Sequence, residues 1–261
     1  MKRISTRRRV VAALACILAA LYFLLPLGAA GEFSLRASKG HGHSLENLLW
    51  IIHHDGFASN LWTSIRLAAV AALIVLTLMV PTVVLVNLGA ARWKRVVEFT
   101  CIVPLVVPVV SLAIGAQVAM PAVLQNWNYE LAFFYVIIAL PYTFRTLDIG
   151  ISAVPLKTLV EASRGLGGGW WQTLSLVIVP NIRTSVSSAL FLTVALASGE
   201  FTITSLLHWT TFTTWTVAVA QENILGAIAL SFFSLVTVLM VFTAFSTVSR
   251  LHRTATPADT I

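Results

Sequence analysis

Three charged side chains stand inside apolar runs of this sequence: Glu200 in "ALASGEFTITSLL", and Arg145 and Asp148 in "YTFRTLDIG". A charge at the centre of a bilayer costs about 2.5–3.5 kcal/mol on insertion scales, so each is a candidate for function. Arg145 and Asp148 lie three apart on one helical face and can neutralise each other. Glu200 has no opposite charge within a helical turn. Around it Ser198, Gly199, Thr202 and Thr204 make a slim, polar stretch suited to the wall of a water-filled path, where a carboxylate favours cations.

The other reactive residue types do not assemble. His41 and His43 of "HGHS" and His53, His54 and Asp55 of "IIHHD" crowd one polar segment, but nothing completes a metal-ligand set at a readable spacing. Cys16 and Cys101 fall singly in apolar runs and read as small buried residues. No "GxxxxGK[ST]" phosphate cradle and no nucleophile–base pair occurs, so the expectation is no catalytic residue, no metal and no cofactor in this chain.

The elements that must position these residues are membrane helices. Among 261 residues, 58% are hydrophobic and 10% charged, against ~25% charged in a soluble domain. Six windows, 10–30, 61–88, 99–123, 131–153, 182–206 and 222–249, each supply the ~20 apolar residues of a span. The first, with its basic leader, has the outline of a signal peptide but too long an apolar stretch, and is kept as a span. Lys2, Arg3, Arg7, Arg8, Arg9, Arg92, Lys94, Arg95, Arg145, Lys157, Arg164, Arg183, Arg250 and Arg253 all fall on one side, leaving Arg36, Lys39 and Arg66 of the 17 basic residues. The positive-inside rule then places both termini in the cytoplasm. Orientation and anionic lipid account for the net charge of +7 without nucleic acid. We divide the chain into an N-terminal tail, first span and external segment (1–60), a core (61–250) and a cytoplasmic tail (251–261). Within the external segment, "SLENLLWIIHHDGFASNLW" predicts a short interfacial helix. Trp50, Trp62, Trp127, Tyr129, Trp209 and Trp215 are placed at the outer headgroup boundary. Pro104, Pro108, Pro121 and Pro141 predict kinks in the third and fourth spans.

Between the fourth and fifth spans lies "PLKTLVEASRGLGGGWWQTLSLVIVP". From Pro155 it predicts an amphipathic helix of about three turns, with Leu156, Leu159 and Val160 on one stripe and Lys157, Glu161 and Arg164 on the other. Glu161 can pair with both cations at helical spacing. Gly165, Gly167, Gly168 and Gly169 end the helix and form a hinge, and Trp170 begins a second segment rising into the fifth span.

Glu161-Ala162-Ser163, with Gly167 and then Val177-Ile178-Val179-Pro180, resembles the "EAA…G…I.LP" signature of permease subunits in bacterial ATP-binding-cassette importers. Ser163 departs from the third-position Ala, and Val177 and Val179 from Ile and Leu. "PLVVPVVSLAIG", "ALPYTFRTLDIGI" and "SGEFTITSLL" stand in the order of the same family, so the resemblance covers roughly 60–250. It implies an all-α integral membrane fold of six transmembrane helices, MetI-like, in the bacterial cytoplasmic (inner) membrane. Glu161, Ala162, Ser163, Arg164, Gly167 and Pro180 would form the coupling helix region, which docks on a cytoplasmic ABC ATPase dimer holding ATP and Mg. A second permease subunit, more readily a heterodimer partner than a second copy, and an extracytoplasmic substrate-binding protein are implied too. The "GEF" stretch resembles polyamine (spermidine/putrescine) permeases, so a polyamine-like organic cation is expected. Iron(III), thiamine, phosphonate or an inorganic oxyanion are the family alternatives. A secondary transporter or channel using Glu200 is the alternative of another class.

Overall fold

The computed structural model describes residues 6–37, 42–89, 91–125, 127 and 129–254. Lys2, Arg3, Lys39, His41 and the tail beyond 254 lie outside the described residues. Among the described residues all regular structure is helical except an isolated antiparallel bridge, Arg36 to His43. The helices fall into two compact units, one made of the chain up to Phe57 and from Thr216 onward, the other of Ala58–Trp215.

The first unit contains α1 (Thr6–Ser34), α2 (Glu46–Ile52) and α13 (Ile224–Thr254), with α1 and α2 both packed on α13. Small residues allow the close approach that drives helix association in lipid. A Cβ on Gly31 would come within 3.0 Å of the Phe232 ring, and one on Gly226 within 3.3 Å of Trp50. After α2, His54 stacks near Trp50 and its Nε2 lies 3.2 Å from Glu222 Oε2. The hydrogen bond to the Asp55 carbonyl, and secondarily Glu222, raises the His54 pKa above 6.5. α2 lies within the stretch read as an interfacial helix but ends at Ile52, and α3 starts at Phe57. Cys16, expected to be buried, is exposed on α1.

The second unit runs through α3 (Phe57–Leu88), α4 (Ala91–Val106), α5 (Val109–Ala119), α6 (Glu130–Ser152), α7 (Leu156–Gly165), α8 (Trp170–Gln172), a π-helical stretch Thr173–Ile178, α9 (Val179–Asn181), α10 (Arg183–Gly199) and α11 (Thr202–Leu206). α12 (Phe212–Val219) continues from it across the boundary between the units. α3 buries Ala68, Ala72, Val75, Met79 and Val83, a helical stripe, and leaves Leu73, Leu78 and Leu85 exposed on the other side, as a lipid-facing helix does. Hydroxyls within these helices, such as Thr77 and Thr82, donate to the carbonyl four residues back. No water is needed to satisfy them.

The number of spans departs from six clean helices. Val11–Ser34, Phe57–Leu88 and Glu130–Ser152 are each long and apolar enough to cross a membrane. Arg92–Val106 with Val109–Ala119, and Trp170–Asn181 with Arg183–Gly199, qualify only as bent pairs, turning by 105° and 84°. α13 runs from Ile224 to Thr254, and the continuous part of it whose side chains are described, Ile224–Met240, is apolar. The first bend falls at Val107–Pro108, where Pro108 caps α5 and removes a helical donor. Pro104 and Pro141 lie inside α4 and α6 without ending them, and Pro121 follows the end of α5. Of the aromatic residues read as boundary anchors, Trp50, Trp62 and Trp127 are exposed and Trp215 is buried.

α6 packs most extensively on α10. Along this seam Thr143 and Thr193 share a hydroxyl contact of 3.3 Å, and a Cβ on Gly150 would fall on the Ser185 side chain. Gly150→Val should therefore destabilise the detergent-solubilised protein by about 1–3 kcal/mol, as overpacked sites do. Adding Ser185→Gly should recover part of the loss in thermal midpoint. Equal stability of Gly150→Val and the wild type would mean that this contact is not formed.

Candidate functional site

α6 ends at Ser152, and after a short turn α7 begins with Pro155 at its N-cap, a position where a missing N–H costs nothing. Leu156 and Val160 are buried and anchor the helix to the second unit. Lys157, Glu161, Ala162 and Arg164 are exposed on the other stripe, and Ser163 is half-buried between them. Glu161 forms no ion pair with Lys157 or Arg164. The ion pairs among the described residues are Arg36–Glu32, His54–Glu222, Lys94–Asp148 and Arg145–Glu98. The Glu161 carboxylate is thus exposed and in no ion pair among the described residues.

The helix stops in a way that uses each glycine differently. Gly167 has φ +82°, a conformation open to glycine at little cost. Its N–H donates to the Arg164 carbonyl, and the N–H of Gly168 reaches back to Ser163, both at 2.9 Å. That pair of bonds is a Schellman motif. A Cβ on Gly168 would sit 2.8 Å from the Ser163 carbonyl oxygen and 2.6 Å from its hydroxyl. The Thr173 hydroxyl donates to the Gly169 carbonyl at 3.0 Å, so the Ser163 hydroxyl, 2.8 Å away, must donate to Thr173. Gln172 returns to the Gly169 N–H at 2.9 Å. The turn expected to be a glycine hinge is a pinned corner, and the serine that departs from the family pattern supplies one of the pins.

Beyond this corner, Thr173, Leu174 and Ile178 are buried while Trp171 and Leu176 are exposed. The Val179 N–H reaches the Leu174 carbonyl in π register, which widens the helix just before Pro180, whose ring cannot fit a tight α turn. The segment does not rise directly into the next helix as expected. It turns by 84° at Ile182.

Glu200 is not inside a helix. It follows α10 in extended conformation, with φ −75° and ψ 120°. Its Oε1 accepts the Ile203 N–H at 2.6 Å, and its carbonyl accepts the hydroxyls of Thr213 at 3.0 Å and Thr204 at 3.3 Å. The carboxylate expected to lack a local partner caps α11. Thr204 is buried, with its hydroxyl 3.2 Å from that of Tyr135, while Ser198 and Thr202 are exposed.

Arg145 and Asp148 do not pair with each other either. Asp148 lies 2.6 Å from Lys94 Nζ and accepts from Asn87 at 2.9 Å, and Arg145 reaches Glu98 at 3.7 Å. Lys94 also donates to Asn87 Oδ1 at 3.1 Å, closing a network across α3, α4 and α6. Sequence reading treated Lys94 as a topology charge, missed Asn87, and passed over Thr173 and Tyr135. Helical spacing shows which residues share a face. It carries no signal for what another helix brings to that face.

No protein-family model matches the sequence. Over 175 residues, 66% of this chain, it is 30% identical to "Phosphate transport system permease protein PstA 1" of Mycobacterium tuberculosis strain CDC 1551 / Oshkosh, and equally to that of strain ATCC 25618 / H37Rv. The match takes in 57% and 56% of those proteins, so it spans little more than half their length. Among solved structures, a chain of a bacterial ABC transporter involved in the import of the acidic polysaccharide alginate superposes with a TM-score of 0.65. That similarity covers 95% of this chain and 99% of the other, at 15% identity. The chain thus has the helical fold of that ABC transporter chain, and over two thirds of its length it is similar in sequence to phosphate-transport permeases.

Proposed function

We propose that this chain is a multi-pass inner-membrane permease subunit of an ATP-binding-cassette importer. In this reading α7 is the coupling helix, both termini are cytoplasmic, and the chain itself catalyses nothing. The observation that carries it is the exposed, unpaired Glu161 on a helix whose other face is buried and whose exit is pinned. A soluble ATPase dimer that grips the Glu161–Arg164 face moves α7 and the following segment together. Any change of angle then falls to the ends of this unit, the turn at 153–155 and the corner at Ile182, where backbone hydrogen bonds close the chain. A second permease, different from this chain in the reading favoured by the family resemblance, and an external substrate-binding protein complete the assembly.

The substrate we propose is an inorganic oxyanion such as phosphate. Similarity to phosphate-transport permeases supports it. The polyamine-like expectation drew on the resemblance of the "GEF" stretch and on a solitary carboxylate inside a helix, and Glu200 is neither solitary nor helical. With its side chain turned onto the Ile203 N–H, it acts as a backbone cap. The test is ATP-driven uptake by the complete complex in proteoliposomes, comparing radiolabelled phosphate with spermidine. Glu200→Gln keeps an acceptor for the cap and should transport phosphate within about twofold of wild type, whereas Glu200→Ala loses the cap, at about 1 kcal/mol, and should transport less. Spermidine uptake that Glu200→Gln abolishes would restore the cation path.

A further inference from the structure

We infer that the Trp170–Asn181 segment lies along the headgroup layer of the inner leaflet, with Trp171 and Leu176 inserted into lipid. The inference rests on the reading above in one respect, that α10 crosses the bilayer from the cytoplasmic side. An 84° corner then sets the segment nearly parallel to the membrane surface. Its composition fits that depth: "WWQTLSLVIVPNI" carries no charged residue. Leu174 and Ile178 face the protein, while Trp171 and Leu176 stand 71% and 73% exposed. Both lie on the exposed side of the segment, with the exposed Gln172 and Ser175 between them. Tryptophan is the residue that favours headgroup depth. Arg183, exposed just past the corner and without an ion-pair partner among the described residues, is placed for lipid phosphates. The polar stripe of α7, with Lys157, Glu161 and Arg164, is a separate surface. The two sides of the pinned corner therefore have different partners, a protein for α7 and the bilayer for the segment after it. Contact with lipid would fix the height at which α7 is presented.

The test places a nitroxide at Trp171→Cys, Leu176→Cys or Glu161→Cys in a Cys16→Ser chain, Cys101 being buried. Each variant is reconstituted in phosphatidylethanolamine–phosphatidylglycerol bilayers. Collision with oxygen, relative to collision with an aqueous nickel chelate, should be about tenfold higher at 171 and 176 than at 161, with or without the ATPase. Chelate access at 171 and 176 equal to that at 161 overturns the inference. So does access that is lost only when ATPase binds, since the face would then belong to the ATPase contact. Failure of ATPase to shield a label at Lys157→Cys, which keeps Glu161 in place, counts against the coupling reading and leaves the lipid result standing.

Discussion

Asp148→Ala should lower the stability of the purified protein by roughly 2–4 kcal/mol, because it strands the Lys94 ammonium and an Asn87 donor in a largely buried network. The Asp148 side chain is 8% exposed and that of Lys94 30%, so water can relieve part of the loss, and the figure lies toward the low end for a broken buried pair. Replacing both partners, Lys94→Met with Asp148→Leu, should be less harmful than either single change, since no unpaired charge remains. Thermal or denaturant midpoints in detergent separate these cases. If the double variant is as unstable as the sum of the two singles, the pair is not interacting, and the joint between α4 and α6 must be held by its other contacts, Arg145–Glu98 among them.

Gly167→Val should impair function strongly while leaving the residues of α7 itself unchanged. Valine is β-branched and strongly disfavoured at φ +82°. The strain, of the order of 1–3 kcal/mol, would open the Schellman turn and free the Ser163–Thr173 pin. α7 would keep its exposed stripe but lose its fixed angle, so in the proposed importer uptake per ATP hydrolysed should fall about tenfold or more. Gly167→Asn is the control, because asparagine tolerates the left-handed region, and it should retain most of the coupling. If Val and Asn behave alike, what matters at 167 is the absence of a side chain and not the backbone conformation.

How much of this was legible depends on whether the signal is local. The bounds of α7 follow from Pro155 at its start and glycines at its end, and its orientation follows from one apolar and one charged stripe. The long helices α1, α3 and α6 follow from hydropathy, since a bilayer demands length. The corner at Ile182 and the break after Gly199 carry local signals, Pro180-Asn181 and Ser198-Gly199, but hydropathy running through both stretches outweighs them in a reading by span length. Glu200 was misplaced for that reason: inside a helix it would need a partner charge, whereas past its end a backbone N–H suffices. Arg145 and Asp148 were paired wrongly because their partners, Glu98 and Lys94, arrive on α4. The glycine run was recognised as a helix stop but taken for a hinge. The bonds that make it rigid join Ser163 to residues five and ten positions later.

The central claim is that α7 transmits ATP hydrolysis to the membrane helices, and the most direct measurement is the coupling ratio of Glu161→Lys in the reconstituted complex. Glu161 is exposed and unpaired, so the variant should reach the membrane and melt at the wild-type temperature. The account predicts that ATP-driven phosphate uptake is lost while the fold is intact, with the ATPase either released or hydrolysing without transport. Uptake at the wild-type rate by this variant, with the ATPase bound and its hydrolysis coupled, would contradict the account.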